Sequence, residues 1–389
     1  MRRWLLRSYF GFLALLAAIR LYDAYRLRHP WIVGDWLIHY AGGFVRRGLW
    51  GQGLYEVSQW TGLNIGALAA LSTGSVYLGF LFFAYRGLAQ QPTWRAFWIT
   101  LTAPFLFWFP VLDVQGAYRK ESLIFALYAW LVQGVARAPA SAFRRTEYAL
   151  MLLPALLLSH EALMAWAPFL LVPLAHAWPK TPEPRPWGRL LALVALNGLV
   201  WVATLAARGT AAHEQAILHA LQQAGYALPY ADHAIAWLDV TLAYQWHYQI
   251  ERWRQWDVAW RMLIFPGVAS VAFLPLVERV RRVYATWPAR VAAGLSAFMT
   301  VVLMFVAKDW GRFAHAYAMM FFLSLLSRRE PIPLVMRPRT LWILYGLFGL
   351  GYGLTWQWHH VHGFRLTGLQ AWEAALEFYA NVLHRGLGE

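Results

Sequence analysis

Apolar residues occur along this chain in blocks of about twenty, separated by shorter polar segments. A helix of that length crosses the ~30 Å hydrocarbon core of a bilayer, because each helical residue rises about 1.5 Å. The pattern predicts an all-α, polytopic membrane protein with about eleven transmembrane helices. We place the spans near 4–22, 65–85, 96–112, 121–136, 148–159, 162–177, 190–207, 258–277, 291–307, 313–327 and 340–356.

The connections between spans predict one integral membrane domain over residues 1–389. Long non-cytoplasmic segments cover about 23–64 and about 208–257, and an amphipathic C-terminal segment covers about 363–385. In that last segment apolar residues recur every three or four positions, which is typical of a helix in the membrane interface. They are Leu366, Leu369, Trp372, Leu376, Tyr379 and Leu383. We therefore expect interfacial helices on the non-cytoplasmic side.

The composition, 60% hydrophobic and 14% charged, excludes a water-soluble globule and a disordered chain. The formal net charge is +15, and the excess of Lys and Arg lies in the short connections between alternate spans. By the positive-inside rule, those connections and the N-terminus face the cytoplasm. Topology and anionic lipid headgroups account for the excess charge, so no basic patch is left for nucleic acid. The absence of Cys excludes disulfides and thiolate chemistry.

The first polar cluster follows the first predicted span. Asp35, Trp36 and His39 precede a run in which four glycines surround Arg46 and Arg47. Glycines let backbone N–H groups approach a ligand closely, and guanidinium groups bind phosphate in a bidentate manner. The run therefore predicts an anion site for a phosphate or diphosphate. The alternative is an interfacial turn whose arginines extend to lipid headgroups.

Two further clusters of charge lie at the ends of predicted spans. Arg119 and Lys120 precede the fourth span, and Arg312 and His315 lie at the start of the tenth. On a helix Arg312 and His315 are three positions apart and share a face. Both clusters predict substrate-binding groups. The alternatives are a plain helix start that complements the helix dipole and an intrahelical salt bridge with Asp309.

His160 and Glu161 interrupt an apolar stretch at 148–177. The stretch is either two short helices that meet at this pair or one long span, and basic residues on both flanks favour the hairpin. Desolvation would raise the pKa of Glu161 towards that of a general base, and His160 can share its proton. We expect Glu161 to be the catalytic base, with His160, Asp35 and Asp309 as further catalytic candidates. The alternative is a hydrogen-bonded pair that locks two helices together.

Trp is unusually frequent, with 24 copies. Most of these rings are expected to anchor the chain at the two membrane interfaces. On the outer side, Trp36 and Trp310 also offer flat faces to sugar rings and are predicted to contact substrate. His359, His360 and His362 form a short tract of unspecific spacing, so we predict no metal site and no cofactor.

Short motifs across most of the chain resemble those of polytopic bacterial surface-polysaccharide proteins, the O-antigen or capsule polymerases. The motifs are residues 43–49, Arg119-Lys120-Glu121, Ser159-His160-Glu161 and Asp309-Trp310-Gly311-Arg312. More distantly, the position of Asp35 soon after the first span is similar to that of an acid in membrane glycosyltransferases of the GT-C type, many of which carry an acidic pair there. The resemblance implies a location in the bacterial inner membrane, with the active face in the periplasm.

These features predict a glycosyltransferase or polysaccharide polymerase that uses a polyprenyl-(di)phosphate-linked sugar donor at the periplasmic face. A base would deprotonate the acceptor hydroxyl while the cations stabilise the departing phosphate. The partners would be the lipid-linked donor, an oligosaccharide or polysaccharide acceptor, and membrane lipid. The main alternative is a transporter or flippase of lipid-linked oligosaccharide, which would show internal repeats and charges near mid-span. A noncatalytic assembly partner is the third hypothesis.

Overall fold

The computed structural model of the protein describes residues 2–92, 94–113, 115–180, 186–254, 265–267, 269–331, 339–340, 343, 351–361 and 363–387. This part of the chain is mostly helical. The helices with both ends defined are α1 (Arg2–Arg26), α2 (Gly48–Thr61), α3 (Ile65–Ala89), α4 (Trp98–Leu101), α5 (Phe109–Leu112), α6 (Glu121–Arg137), α7 (Ala142–Ser159), α8 (Val172–Ala177), α9 (Trp187–Ala206), α10 (Ala211–Gln223), α11 (Leu242–Trp253), α12 (Val277–Val283), α13 (Trp287–Val306), α14 (Trp310–Ser324), α15 (Gly351–Thr355) and α16 (Gln370–Leu387).

Short 3₁₀ turns connect many of these helices. They are Gly34–Leu37, Trp94–Phe97, Pro139–Ser141, Glu161–Ala165, Ala167–Leu171, Trp178–Lys180, Ala236–Leu238, Leu274–Leu276 and Leu325–Ser327. One antiparallel hairpin, β1 (Trp356–His359) and β2 (Gly363–Leu366), pairs Trp358 with Phe364. The prediction of a helical membrane protein therefore holds in outline, with a hairpin that the hydrophobic pattern did not indicate.

Four helices in the described residues are long and apolar enough, by length and composition, to cross a membrane. They are α1 from Trp4 onwards, α3, α9 and α13. They coincide with the blocks predicted at 4–22, 65–85, 190–207 and 291–307. The rest of the chain buries less than half of each, so these helices keep large apolar faces available to lipid.

Two of the predicted spans are not continuous helices. The segment 96–112 contains α4, α5 and turns, and the segment 162–177 contains two 3₁₀ turns and α8. Prolines remove backbone donors within both segments, among them Pro104, Pro110 and Pro168. Most apolar side chains here are buried against other helices. Their hydrophobicity therefore serves the protein core rather than contact with lipid.

The spans predicted at 121–136, 148–159 and 313–327 correspond to α6, α7 and α14, which have 17, 18 and 15 residues. Because α7 ends at Ser159, a single long helix over 148–177 is excluded. The span predicted at 258–277 is described from residue 265 onwards apart from residue 268, and there helical residues lead into the 3₁₀ turn Leu274–Leu276. About half of the span predicted at 340–356 lies outside the described residues. The count of about eleven spans is thus not reproduced.

Helix α6 forms the centre of the core. Nearly all of its residues are buried, and it packs against α3, α7 and α14. Helix α1 packs against α3, and α9 packs against α7. At one end of α6, Glu121 lies 3.2 Å from Arg312 of α14 and 3.7 Å from His160 at the end of α7. The predicted polar ends of three helices therefore meet.

Helix α2 lies close to the segment before it because Gly51 has no side chain. A Cβ atom at this position would be 1.9 Å from the carbonyl oxygen of Ile38. Gly48 is equally close to the ring of Tyr40, where a Cβ would lie 2.1 Å from a ring carbon. These contacts hold the first turn of α2, and with it Arg47, which directly precedes the helix.

The β-hairpin is fastened to the start of α14. The backbone N–H of Gly311 donates to the carbonyl of His360 at 2.7 Å, and the indole N–H of Trp358 donates to the carbonyl of Gly311 at 2.6 Å. A Cβ at Gly311 would lie 1.9 Å from the carbonyl oxygen of His359. Glycine in this motif therefore permits the close approach of the hairpin tip.

The C-terminal amphipathic segment differs from the expectation over about 363–385. Residues 363–366 form β2, and α16 begins only at Gln370. Helix α16 packs on α1, where the guanidinium of Arg20 lies 4.3 Å from the centroid of the Phe378 ring. The helical periodicity of the segment was correct from Gln370 onwards.

We predict that Gly51→Ala destabilises the protein by roughly 1–3 kcal/mol, because α2 must move away from the Ile38 carbonyl. Gly53→Ala is the matched control, since a Cβ there meets nothing within 4 Å and alanine favours the helix by about 1 kcal/mol. Thermal unfolding in detergent measures both. Equal midpoints for the two variants would contradict the close packing described above.

Candidate functional site

A cavity of about 280 Å³ lies where the polar ends of the helices meet. Five cationic side chains line it: Arg46, Arg47, Arg119, Lys308 and Arg312. Three carboxylates line it as well: Glu161, Asp232 and Asp309. The four polar clusters predicted from the sequence are thus brought together, although they are distant along the chain.

The ion pair between Arg47 and Glu161 is the closest contact between these clusters. Nε of Arg47 donates to both carboxylate oxygens at 3.0 Å, and Nη2 donates to Oε1 at 2.6 Å. Nη1 of Arg46 lies 3.6 Å from the same carboxylate. Arg47 has a left-handed backbone, with φ +70°. This conformation is uncommon for a residue other than glycine and is typical of functional sites.

The expectation that the pKa of Glu161 is raised is wrong. Burial alone would raise that pKa, but Arg47, with His160 and Arg46, holds it well below its ordinary value. A carboxylate of this kind is a weak base at neutral pH. Burial and Arg47 also lower the pKa of His160, so its imidazole is neutral. Glu161 instead acts here as the counter-ion that orients two arginines.

Arg119 and Lys120 connect the second cluster to the first. Nε of Arg119 donates to Asp35 at 3.3 Å, and Nζ of Lys120 donates to the carbonyl of Arg47 at 2.9 Å. Burial lowers the pKa of Lys120 to about 8. Arg119 and Lys120 hold the pKa of Asp35 below its ordinary value, although burial opposes them. Asp35 is fully buried and does not line the cavity.

Arg312 bridges two acids at the start of α14. Nη2 lies 3.0 Å from Asp309 and Nε lies 3.2 Å from Glu121. Its Nη1 is buried and makes no hydrogen bond within the described part of the chain, and the same is true of Nε of Arg46. Both atoms belong to arginines that line the cavity, so buried N–H groups without an acceptor in the described residues lie beside it.

Four predicted substrate-binding residues do not line the cavity. One is Lys120, which is fully buried on the Arg47 carbonyl, and the other three lie in the core. Trp36 is fully buried and donates to the carbonyl of Tyr118 at 3.2 Å. Trp310 is also buried, and His315 bonds the Phe105 carbonyl at 2.7 Å. None of these three predicted residues lines the cavity. They form part of the core, because their polar atoms are satisfied or enclosed by the protein.

The aromatic groups that do line the cavity include Trp31 and Trp237. Their ring centroids are 6.2 Å apart and the rings are inclined by 57°. The Lys308 ammonium lies 4.8 Å from the centroid of Trp237, and the Arg119 guanidinium lies 5.2 Å from that of Trp31. No sequence signal distinguishes these two rings from the others, since the chain contains 24 tryptophans.

The sequence analysis also missed the role of His360, which lines the cavity from the hairpin tip. Asp113, His359 and His360 each have one atom that could bind a metal ion, and these three atoms lie within 4.8 Å of one another. However, the Asp113 oxygens already accept hydrogen bonds from His360 and from the N–H of Gly116. The rings of His359 and His360 stack with centroids 4.5 Å apart. This donor set fits a carboxylate–histidine pair better than a metal site, and His362 lies outside the described residues.

We predict that Glu161→Gln alone destabilises the protein by roughly 3 kcal/mol, at the low end for a broken buried ion pair because 20% of the Arg47 side chain is exposed. Arg47→Gln should have a similar effect. The double variant should lose clearly less stability than the sum of the losses in the two single variants, because neither charge is then left without its partner. Equilibrium unfolding in mixed micelles tests this cycle, and full additivity would show that the pair contributes no coupling.

Comparison of the chain with known proteins finds no matching family model, no matching curated protein and no matching solved structure. The function must therefore be inferred from the chemistry of the cavity.

Proposed function

We propose that this protein transfers a sugar from a polyprenyl phosphate or diphosphate carrier to a saccharide acceptor at the periplasmic face of the bacterial inner membrane. The observation that carries the proposal is that one cavity has a cationic wall and an apolar wall. A lipid-linked sugar phosphate combines the same two chemistries, because a charged headgroup joins a hydrocarbon chain.

The cationic wall supports binding of phosphate. The five cations exceed the three carboxylates by two charges in the described lining, which equals the charge of a diphosphate diester. Nη1 of Arg312 and Nε of Arg46 have N–H donors without acceptors in the described structure. Hydrogen bonds between ionised groups are about twice as strong as neutral ones, so an anionic oxygen fits these donors.

The apolar wall supports binding of a lipid chain. Leu205, at the end of α9, and Leu303 and Val306, at the end of α13, line the cavity. Both helices are candidate membrane spans with large exposed faces. An isoprenoid chain that leaves the cavity along these side chains would enter the hydrocarbon region directly, which avoids exposure of the chain to water.

The aromatic pair supports binding of a sugar. Trp31 and Trp237 lie on the cavity wall beside the cations Arg119 and Lys308. Flat rings pack against the C–H faces of sugars, and nearby charged groups bond their hydroxyls. In the proposed reaction the cations stabilise the negative charge that develops on the departing phosphate, and this effect is the larger because the site is shielded from water.

The proposal is tested with purified protein in detergent and a panel of labelled polyprenyl-phosphate and polyprenyl-diphosphate sugars. Wild-type protein should consume at least one donor and form a glycosylated product. Geranylgeranyl phosphate should compete with that donor more strongly than inorganic phosphate or geranylgeraniol, because only the first occupies both walls. A protein that binds the lipid but moves it across vesicles without glycosyl transfer would be a flippase, and that result would overturn the proposal.

We predict that Arg46→Ala weakens binding of geranylgeranyl phosphate about ten- to a hundredfold, equivalent to the roughly 1.5–3 kcal/mol of a charge-assisted hydrogen bond. Arg46→Lys should restore affinity only in part, because an ammonium cannot replace the guanidinium fork. Arg208→Ala is the matched control, since Arg208 is exposed close to Arg46 and does not line the cavity. An equal loss in both Ala variants would indicate a general charge effect.

The cavity should face the periplasm. In this Cys-free chain, Ala41→Cys and Ala140→Cys introduce exposed thiols, the first near Arg46 and the second in the turn before α7. An impermeant maleimide should label Ala41→Cys in intact cells and Ala140→Cys only after permeabilisation. Labelling in the opposite order would invert the proposed topology.

A further inference from the structure

His360 and Asp113 form a carboxylate–imidazole pair at the edge of the cavity. Nδ1 of His360 is 2.9 Å from both Asp113 oxygens, and the backbone N–H of His360 donates to Oδ2 at 2.5 Å. Asp113 also accepts from the N–H of Gly116 at 2.8 Å. The carboxylate therefore joins the hairpin tip to the loop that precedes Arg119.

The position of His360 is fixed from a second side. Its carbonyl accepts hydrogen bonds from the backbone N–H groups of Gly311 at 2.7 Å and Arg312 at 3.3 Å. These groups belong to the first turn of α14, which also carries the cation Arg312. Hydrogen bonds thus join the hairpin tip that carries the imidazole to the helix that carries the guanidinium, and both residues line the cavity.

The contact with Asp113 determines which nitrogen of His360 carries the proton. Burial alone would raise the pKa of Asp113, but the hydrogen bond from His360 helps to hold it below its ordinary value, so the carboxylate is ionised. An ionised carboxylate accepts, and Nδ1 must therefore donate. Nε2, on the opposite side of the ring, then has a lone pair and makes no hydrogen bond within the described structure.

We propose that His360 is the general base that deprotonates the acceptor hydroxyl, with Asp113 as its positioning residue; this inference rests on the proposed glycosyl transfer. The acceptor oxygen forms a bond to the anomeric carbon of the donor while its proton passes to Nε2 of His360. The bond between the anomeric carbon and the phosphate oxygen breaks, and its electron pair leaves with the phosphate. The cations of the cavity stabilise that charge.

The other candidate bases in the cavity fit this role less well. Both oxygens of Glu161 accept from Arg47, and its pKa lies well below the ordinary value. Asp309 is paired with Arg312 at 3.0 Å. His160 is almost completely buried between Glu121 and Glu161, whereas His360 lines the cavity and 12% of its side chain is exposed. His360 is thus the base that an acceptor can reach.

The pH dependence of such a base includes the influence of its charged and titratable neighbours. Asp113 contacts Nδ1, His359 stacks on the ring, and further groups on the cavity wall face it from the adjacent elements. Those on the wall are Arg119, Lys308, Asp309 and Arg312.

The test uses the polyprenyl-linked sugar that the wild-type protein turns over. His360→Gln should lower kcat/KM about 10²- to 10⁴-fold, the range for loss of a general base, while the affinity for geranylgeranyl phosphate changes less than threefold. The wild-type rate should fall as the pH decreases through the range of imidazole protonation, and this acidic limb should disappear in His360→Gln. Added imidazole should partly restore turnover in His360→Ala, because it can occupy the vacated volume.

His359→Gln is the matched control. It changes the adjacent histidine, which does not line the cavity, and should keep the acidic limb. Asp113→Asn should retain its affinity for geranylgeranyl phosphate but lose turnover. The Asn amide can donate to Nδ1 of His360, and the proton of the imidazole would then lie on Nε2. These variants also separate a catalytic role from a purely structural one, since a structural defect would not respond to imidazole.

Two outcomes would overturn the inference while the proposed function stands. One is a His360→Gln variant with near wild-type turnover and an intact acidic limb. Another is loss of wild-type turnover on chelation that added divalent metal restores, which would make the histidine a ligand. If wild-type protein turns over none of the donors, the proposed function itself fails, and this result is distinct from both.

Discussion

The ion pair between Arg47 and Glu161 is the contact on which the cavity depends. It joins the segment before α2 to the break after α7, and Lys120 adds the segment before α6 by donating to the Arg47 carbonyl. Charges are costly in an apolar environment unless they are paired, so the surrounding hydrophobic helices force these distant segments together. The close packing of α2 at Gly51 fixes the first turn of the helix that directly follows Arg47, whose backbone is left-handed.

The fold could be predicted only in part, because hydrophobicity does not distinguish contact with lipid from contact with protein. The four helices in the described residues that are long and apolar enough to cross a membrane are evident as apolar blocks. The segment 96–112 is equally apolar, yet it is a broken chain in the protein core. The prolines of this segment were the sequence signal that it does not form a continuous helix. The hairpin at 356–366 was missed because the alternation of Trp356 and Trp358 with polar residues is too short to be distinctive.

The site could be predicted as a set of residues but not as a set of contacts. Ionisable groups at the ends of apolar segments must find partners, and four residues predicted on this ground, Arg47, Glu161, Arg119 and Arg312, line one cavity. The pairing itself depends on helix packing, which the sequence does not reveal. For the same reason the expected rise in the pKa of Glu161 was wrong, because burial was considered without its partner arginine.

The two-walled cavity has a consequence for selectivity. Under the proposed function, the protein lies in a membrane with many anionic phospholipids, and the excess of cationic side chains in the cavity attracts all of them. Charge alone therefore cannot distinguish a rare carrier lipid from its abundant neighbours. Under the proposed function, discrimination must come from the apolar side chains of α9 and α13 and from the rings of Trp31 and Trp237, which contact the isoprenoid chain and the sugar. The surrounding bilayer then acts as a competitive inhibitor, and its phospholipid composition sets the fraction of protein that is free to bind the carrier.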